Sequence, residues 1–116
     1  MKPQSAKAKG RNLQKTVVEK ILETFPELTK NDVRSTSMGA TGADVQMSEA
    51  ALRLFPYAVE CKNRATIAVY PYFEQARANA AGRMPLLVIK QNYSEPLVLV
   101  QLDHFMDLCK SHTETK

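Results

Sequence analysis

The feature that most constrains this chain is a pair of short β-like segments, residues 43–48 and 57–62, that carry charged side chains. Successive side chains of a strand point to opposite faces of a sheet, so Glu60 and Lys62 lie on one face. A carboxylate and an ammonium are costly to bury in so hydrophobic a strand unless they serve a function. If the two strands are neighbours in the sheet, Asp44 approaches Glu60.

Asp44, Glu60 and Lys62 form the pattern D-x15-E-x-K. It resembles the motif of the PD-(D/E)XK nuclease superfamily, and most closely that of the archaeal and phage Holliday junction resolvases. The superfamily usually has a proline before the aspartate, where this chain has Ala43. The resemblance implies that Asp44, Glu60 and the backbone carbonyl of Cys61 bind Mg²⁺, with Mn²⁺ as an alternative. It also implies that Lys62 helps to activate water for metal-assisted hydrolysis of a phosphodiester bond.

The same three residues also permit an interpretation without catalysis. In it, Glu60 and Lys62 form a surface pair on an edge strand, and Asp44 is a turn residue. The triplet alone is a weak signal, because such triplets also arise by chance. Its placement on two consecutive strand-like segments, after a glycine-rich turn and a basic N-terminal helix, favours the nuclease interpretation.

Length and composition predict one globular domain without a membrane span. The chain has 116 residues, of which 44% are hydrophobic and 24% charged. The net charge is +4, and six of the first twenty residues are lysine or arginine, which permits nucleic-acid binding without establishing it. No apolar run is long enough for a membrane span, and no apolar segment of a signal peptide follows the N-terminal charges. Two cysteines in different contexts suggest free thiols, so we expect a cytoplasmic protein.

The N-terminal region is predicted to be a flexible basic arm, residues 1–10, followed by a helix over residues 11–25. Gln14 lies near the centre of the apolar stripe of this helix, and Glu19 lies on the opposite face. In the resolvases, a helix after a basic, glycine-containing segment presents a glutamate to the metal. Aligning their glycine with Gly10 places Gln14 at that position, so an amide that supports the site replaces a carboxylate ligand. Alternatively, the Gln14 amide is satisfied by backbone near the sheet.

Further polar and basic side chains are predicted to contact DNA, because cations and hydroxyls commonly bind phosphate oxygens. The superfamily also often has a glutamine on the helix that follows the motif, which here is Gln75. Surface polarity explains Gln75, Ser37 and Thr41 equally well, and Lys90 could be an edge lysine with its head in water. The complete predicted set is Lys9, Arg11, Lys15, Arg34, Ser37, Thr41, Arg64, Gln75 and Lys90.

The predicted fold is a single α/β domain over residues 11–110, with a central mixed sheet of about five strands flanked by helices, followed by a polar tail at 111–116. This is also the restriction-endonuclease-like core that the resemblance implies. The near-continuous apolarity of the last two strands predicts that both are covered on both faces. A terminal helix, capped by Asp103, has apolar side chains for packing or for a dimer contact. The five predicted strands are residues 33–37, 43–48, 57–62, 85–91 and 96–101. The helix after the motif is predicted over residues 70–81. Segment 49–56 is predicted to be either a helical turn or a wide hairpin connection.

Three functions are consistent with the sequence. The first is a Mg²⁺-dependent endonuclease that cleaves branched DNA such as a four-way junction; symmetric cleavage of a junction needs two sites, so this function implies a homodimer. The second is a catalytically silent DNA-binding accessory protein with the same fold, which the missing helix glutamate favours. The third is a structural subunit of a replication or packaging complex that uses its basic N-terminus for docking.

Overall fold

The computed structural model describes residues 5–37 and 41–114, which form four helices and five strands. Helices and strands alternate along most of the chain, which is the α/β class predicted from the sequence. In chain order, the elements are α1 (Ala6–Thr24), β1 (Val33–Ser35), β2 (Val45–Met47), α2 (Glu49–Leu54), β3 (Tyr57–Asn63), α3 (Val69–Ala78), β4 (Met84–Lys90), β5 (Leu97–Leu99) and α4 (Leu102–Glu114).

The strands form two sheets, so the prediction of one five-stranded sheet is wrong in that respect. β1 and β2 pair antiparallel, while β3 pairs parallel with β4 and β4 pairs antiparallel with β5. The predicted mixed character is present in the larger sheet. The two sheets meet where the Asp44 N–H donates a hydrogen bond of 2.8 Å to the Val59 carbonyl. β1 and β2 have only three residues each, and Asp44 lies one residue before β2 begins.

The central strands β3 and β4 are apolar because helices cover both of their faces. The apolar stripe of α1, which includes the buried Leu13 and Ile21, packs on the face that carries Val59 and Val88. On the other face, small side chains of α3 and of the segment after it meet the sheet, and this lets the helix lie close. The predicted core face of the first helix is therefore confirmed.

Capping residues account for two differences from the predicted boundaries. The Ser5 hydroxyl accepts a hydrogen bond of 3.1 Å from the Ala8 N–H, so α1 begins at Ala6. Residues 6–10 are helical where the sequence predicted a flexible arm, and residues 1–4 of that arm lie outside the described residues. Ser48 caps α2 in the same way, and of segment 49–56 the first six residues are helical.

The two later helices also differ in their bounds. α3 ends at Ala78 because Ala81 and Gly82 adopt positive φ angles of 52° and 81°. α4 begins at Leu102, so Asp103 lies in its first turn and is not its cap, and the helix continues through residues 111–114 of the predicted tail. Residues 115–116 of that tail lie outside the described residues.

β5 is an exposed edge strand, so the prediction that it is covered on both faces is wrong. Its Leu97 and Val98 side chains are 54% and 62% exposed. β4 pairs with one edge of β5, and none of the described helices packs over its surface to the extent that α1 and α3 cover β3 and β4. Of the helices in the described ranges, none combines the length and the apolar character that crossing a bilayer requires.

Candidate active site

An open cleft of about 280 Å³ lies between the first turns of α1, strand β3 and helix α3. Asp44 and Glu60 line it, as do the cationic side chains of Arg11, Lys62 and Arg64. The two motif strands of the sequence analysis therefore contribute their charged side chains to one concave surface. Such a mixture of carboxylates and cations in a cleft is typical of a functional site.

Two hydrogen bonds fix Asp44 against β3. Its N–H donates to the Val59 carbonyl at 2.8 Å, and its Oδ2 accepts from the Cys61 N–H at 2.7 Å. In an extended strand, the backbone groups of alternate residues point to the same edge. The Cys61 carbonyl, two residues after Val59, therefore faces the edge where Asp44 lies. This arrangement brings together the backbone and side-chain oxygens that the sequence analysis named as metal ligands.

The Glu60 carboxylate is 4% exposed and has a partner at each oxygen. Oε1 accepts a hydrogen bond of 3.2 Å from Asn79 Nδ2, and Oε2 lies 3.8 Å from Lys62 Nζ. Lys62 Nζ also lies 5.2 Å from the centroid of the Tyr72 ring, a cation–π distance. Helix α3 and the segment that follows it therefore hold both charged side chains of the E-x-K motif in place.

Burial makes the negative charges in this cleft unfavourable. Desolvation is the largest cause that raises the pKa of Asp44 and of Glu60 above their ordinary values, and the charge of Asp44 raises the pKa of Glu60 further. The Cys61 N–H and Lys62 partly oppose the rise for Asp44, and Asn79 and Lys62 partly oppose it for Glu60. A cation bound between the two carboxylates would relieve this repulsion.

The donor set fits a hard divalent cation. Two carboxylates and a backbone carbonyl are oxygen ligands, and Mg²⁺ is commonly bound through one or two carboxylates, with water and phosphate completing its coordination. Among the residues that the structure describes, no group of three or more His, Cys, Asp or Glu could hold a metal ion. The side chains of the cleft therefore offer two carboxylates, which is fewer than the four ligands of a closed structural site.

Five of the predicted supporting residues lie in the cleft: Arg11, Gln14, Ser37, Arg64 and Gln75. Gln14 projects from α1 towards the same space as Asp44 and Glu60, as its place on the core face of the helix predicted.

Four predicted DNA contacts, Lys9, Lys15, Thr41 and Lys90, lie outside the cleft. Lys9 Nζ donates a hydrogen bond of 2.8 Å to an asparagine that follows β4, and Lys15 and Thr41 are exposed to solvent. Lys90 Nζ lies 3.4 Å from the carbonyl of the next residue. The structure does not group these side chains with the acidic pair.

Arg34 also lies apart from the acidic pair. Its Nε donates a hydrogen bond of 3.3 Å to the side chain of Gln46, across the β1–β2 ladder. This contact places Arg34 on a second, polar surface pocket with Asp32 and Arg83.

Several cleft residues were missed by the sequence analysis. Lys7 was assigned to a flexible arm, so no helical position was considered for it. The sequence analysis gave Asn63 no role, but its Nδ2 donates to the Lys9 carbonyl at 3.2 Å and ties α1 to β3. Its Oδ1 is buried without a hydrogen-bond partner among the described residues. Asn79 does not line the cleft but donates to Glu60; it follows Gln75 by one helical turn, and that spacing was the available signal for it.

Comparison of the chain with protein-family models, with curated proteins and with solved structures found no match.

Proposed function

We propose that this protein is a metal-dependent endonuclease that hydrolyses phosphodiester bonds in branched DNA such as four-way junctions. The observation that carries the proposal is the pair of desolvated carboxylates, Asp44 and Glu60, beside the ammonium of Lys62. Two repelling carboxylates in a cleft are a costly arrangement unless a cation uses them. The preference for branched DNA comes from the resemblance to the resolvases.

The residues of the cleft have complementary roles in this chemistry. Asp44, Glu60 and the Cys61 carbonyl would hold Mg²⁺ or Mn²⁺, which when bound would supply Lewis-acid assistance to phosphodiester hydrolysis. Lys62 would orient the attacking water and offset negative charge that develops on the phosphate. Asn79 and Tyr72 would keep Glu60 and Lys62 in position through the contacts described above.

Cations around the acidic pair support binding of a DNA strand. Lys7, Arg11 and Arg64 line the cleft and would contact phosphates on either side of the scissile bond. Ser37 and Gln75, which also line it, would donate hydrogen bonds to phosphate or sugar oxygens. Junction affinity is therefore expected to fall as the salt concentration rises.

A second candidate is a catalytically silent DNA-binding accessory protein. Gln14 favours it, because an amide stands in the cleft where the resemblance places a metal-binding carboxylate. This candidate keeps the salt-dependent binding and lacks metal-dependent turnover.

Cleavage of a labelled four-way junction, beside a linear duplex of the same sequence, tests the proposal. With Mg²⁺ or Mn²⁺ we expect paired nicks near the branch, and with EDTA we expect none. Binding to the junction without cleavage in either metal would favour the accessory protein.

Asp44→Asn and Glu60→Gln are expected to abolish cleavage and to retain junction binding. Loss of a residue that merely supports a metal ligand lowers metal affinity or activity about 10–100-fold. For the two ligands themselves we expect the cleavage rate to fall by more than about 100-fold. Glu74→Gln is the matched control, because Glu74 is exposed on α3, and within residues 5–37 and 41–114 its ion pair is with Arg77. Unchanged cleavage by either cleft variant would reject the assignment.

A further inference from the structure

Helix α4 carries a stripe of exposed apolar side chains. Leu102, Phe105 and Met106 are 74%, 53% and 56% exposed, and Cys109 is also exposed. At about 100° per residue these four side chains span an arc of about 100° on one side of the helix. No residue of α4 is buried. The stripe is therefore uncovered along most of the helix.

The contact between α4 and the rest of the domain lies on the other side of the helix. The Tyr57 hydroxyl and His104 Nε2 are 2.6 Å apart, and the two rings meet edge to face at 5.3 Å. On the helix, Met106 and Cys109 are about 160° and 140° from His104, so these two side chains face away from Tyr57. Leu102, at the first turn, borders a pocket that α3 also lines. An isolated helix of this length is marginal in water, so a partner that covers the stripe would stabilise it.

The charges along α4 indicate what that partner is. Asp103 and Lys110 are exposed and lie within about 20° of each other on one edge of the stripe, about two turns apart. Neither forms an ion pair within the described residues. When two copies of the helix pair antiparallel about a two-fold axis, the same edges face each other. Asp103 of each copy then meets Lys110 of the other copy, so the surface is complementary to itself.

We propose that the protein associates with a second copy of itself through α4, with the helices crossing antiparallel near Phe105 and Met106. Each helix is about 20 Å long, so the helix pair buries less than the roughly 800 Å² per partner of a standard interface. The dimer is therefore expected to dissociate in the micromolar range. This surface would exist whether or not the cleft cleaves DNA.

Sedimentation velocity of the full chain, over a range from submicromolar to about 100 µM, tests the proposal. Wild type is expected to pass from monomer to dimer, and Phe105→Glu is expected to weaken association at least about tenfold. Ser111→Glu introduces the same charge on the opposite face of the same helix and should leave association unchanged. A wild type that is monomeric throughout, or equal effects of the two variants, would overturn the proposal.

A charge reversal tests the antiparallel arrangement. Asp103→Lys and Lys110→Asp should each weaken association, and the double variant should restore it because the pair re-forms with opposite signs. Both reversals are unfavourable to the helix macrodipole, so a more stable helix cannot account for restoration, and circular dichroism can monitor helicity. A double variant that associates no better than either single variant would overturn the arrangement.

Discussion

Single residues on α3 and just after it decide how the charged groups of the cleft are held. Glu60 is buried in a strand, and its position depends on one donor, Asn79, and one cation, Lys62. The sequence could identify the carboxylate and the ammonium because strand alternation places them on one face. It could not identify Asn79 as their partner, because that contact joins two elements whose relative placement is a property of the packed domain.

Replacing Asn79 with alanine tests this support. The Glu60 carboxylate would lose its only hydrogen bond from an amide and would sample orientations unsuited to the metal. We expect the Mg²⁺ concentration for half-maximal cleavage to rise about tenfold, with a smaller change in the rate at saturating Mg²⁺. Glu74→Ala, outside the cleft, is the control. An unchanged Mg²⁺ dependence in Asn79→Ala would show that Asn79 does not position the ligand.

At the scale of elements, a single side chain caps the short helix α2. The Ser48 hydroxyl accepts from the Ala51 N–H at 3.1 Å and donates to Asp32 Oδ1 at 2.7 Å. It thereby caps α2 and joins it to the turn before β1. The hydrogen bonds from Thr29 and Ser48 hold the pKa of Asp32 below its ordinary value.

Ser48→Ala removes both contacts and is expected to lower the free energy of unfolding by about 1 kcal/mol, the usual cost of losing a helix cap. The thermal midpoint should fall by a few degrees. Ser111→Ala, at an exposed position in the interior of α4, is the control, because it removes no cap. Equal thermal midpoints of Ser48→Ala and wild type would contradict the assigned role of the cap.

At the scale of the whole molecule, the raised pKa values of the acidic pair couple stability to pH. The pKa values of Asp44 and Glu60 are raised by folding, so the unfolded chain releases these protons at lower pH than the folded chain does. The stability that the two groups contribute is therefore complete below about pH 4, where both states are protonated. This contribution to stability is lost as the pH rises through the raised pKa values of Asp44 and Glu60 in the folded state.

Asp44→Asn tests this coupling. The amide oxygen can still accept from the Cys61 N–H, while the repulsion of Glu60 is removed. In EDTA, we expect the thermal midpoint of the variant to exceed that of wild type at pH 7, and the difference to shrink towards pH 4. Mg²⁺ should raise the midpoint of wild type and have little effect on the variant. A variant that is less stable than wild type in EDTA at pH 7 would contradict the inferred repulsion.

Local properties of this protein follow from its amino-acid sequence alone. Helical periodicity identified the buried face of α1, and strand alternation identified the shared face of Glu60 and Lys62. Apolar runs and turn residues defined the α/β class. These conclusions hold because each depends on the conformation of a few consecutive residues.

Properties that depend on contacts between distant segments are visible in the folded structure and not in the sequence. Packing between distant elements divides the strands into two sheets and brings Asn79 into contact with Glu60. It also leaves β5 and α4 exposed. An apolar strand or helix stripe has the same sequence whether a neighbour buries it or leaves it open to a partner. Periodicity therefore identifies an apolar surface, and the packing of the whole chain shows whether that surface is buried.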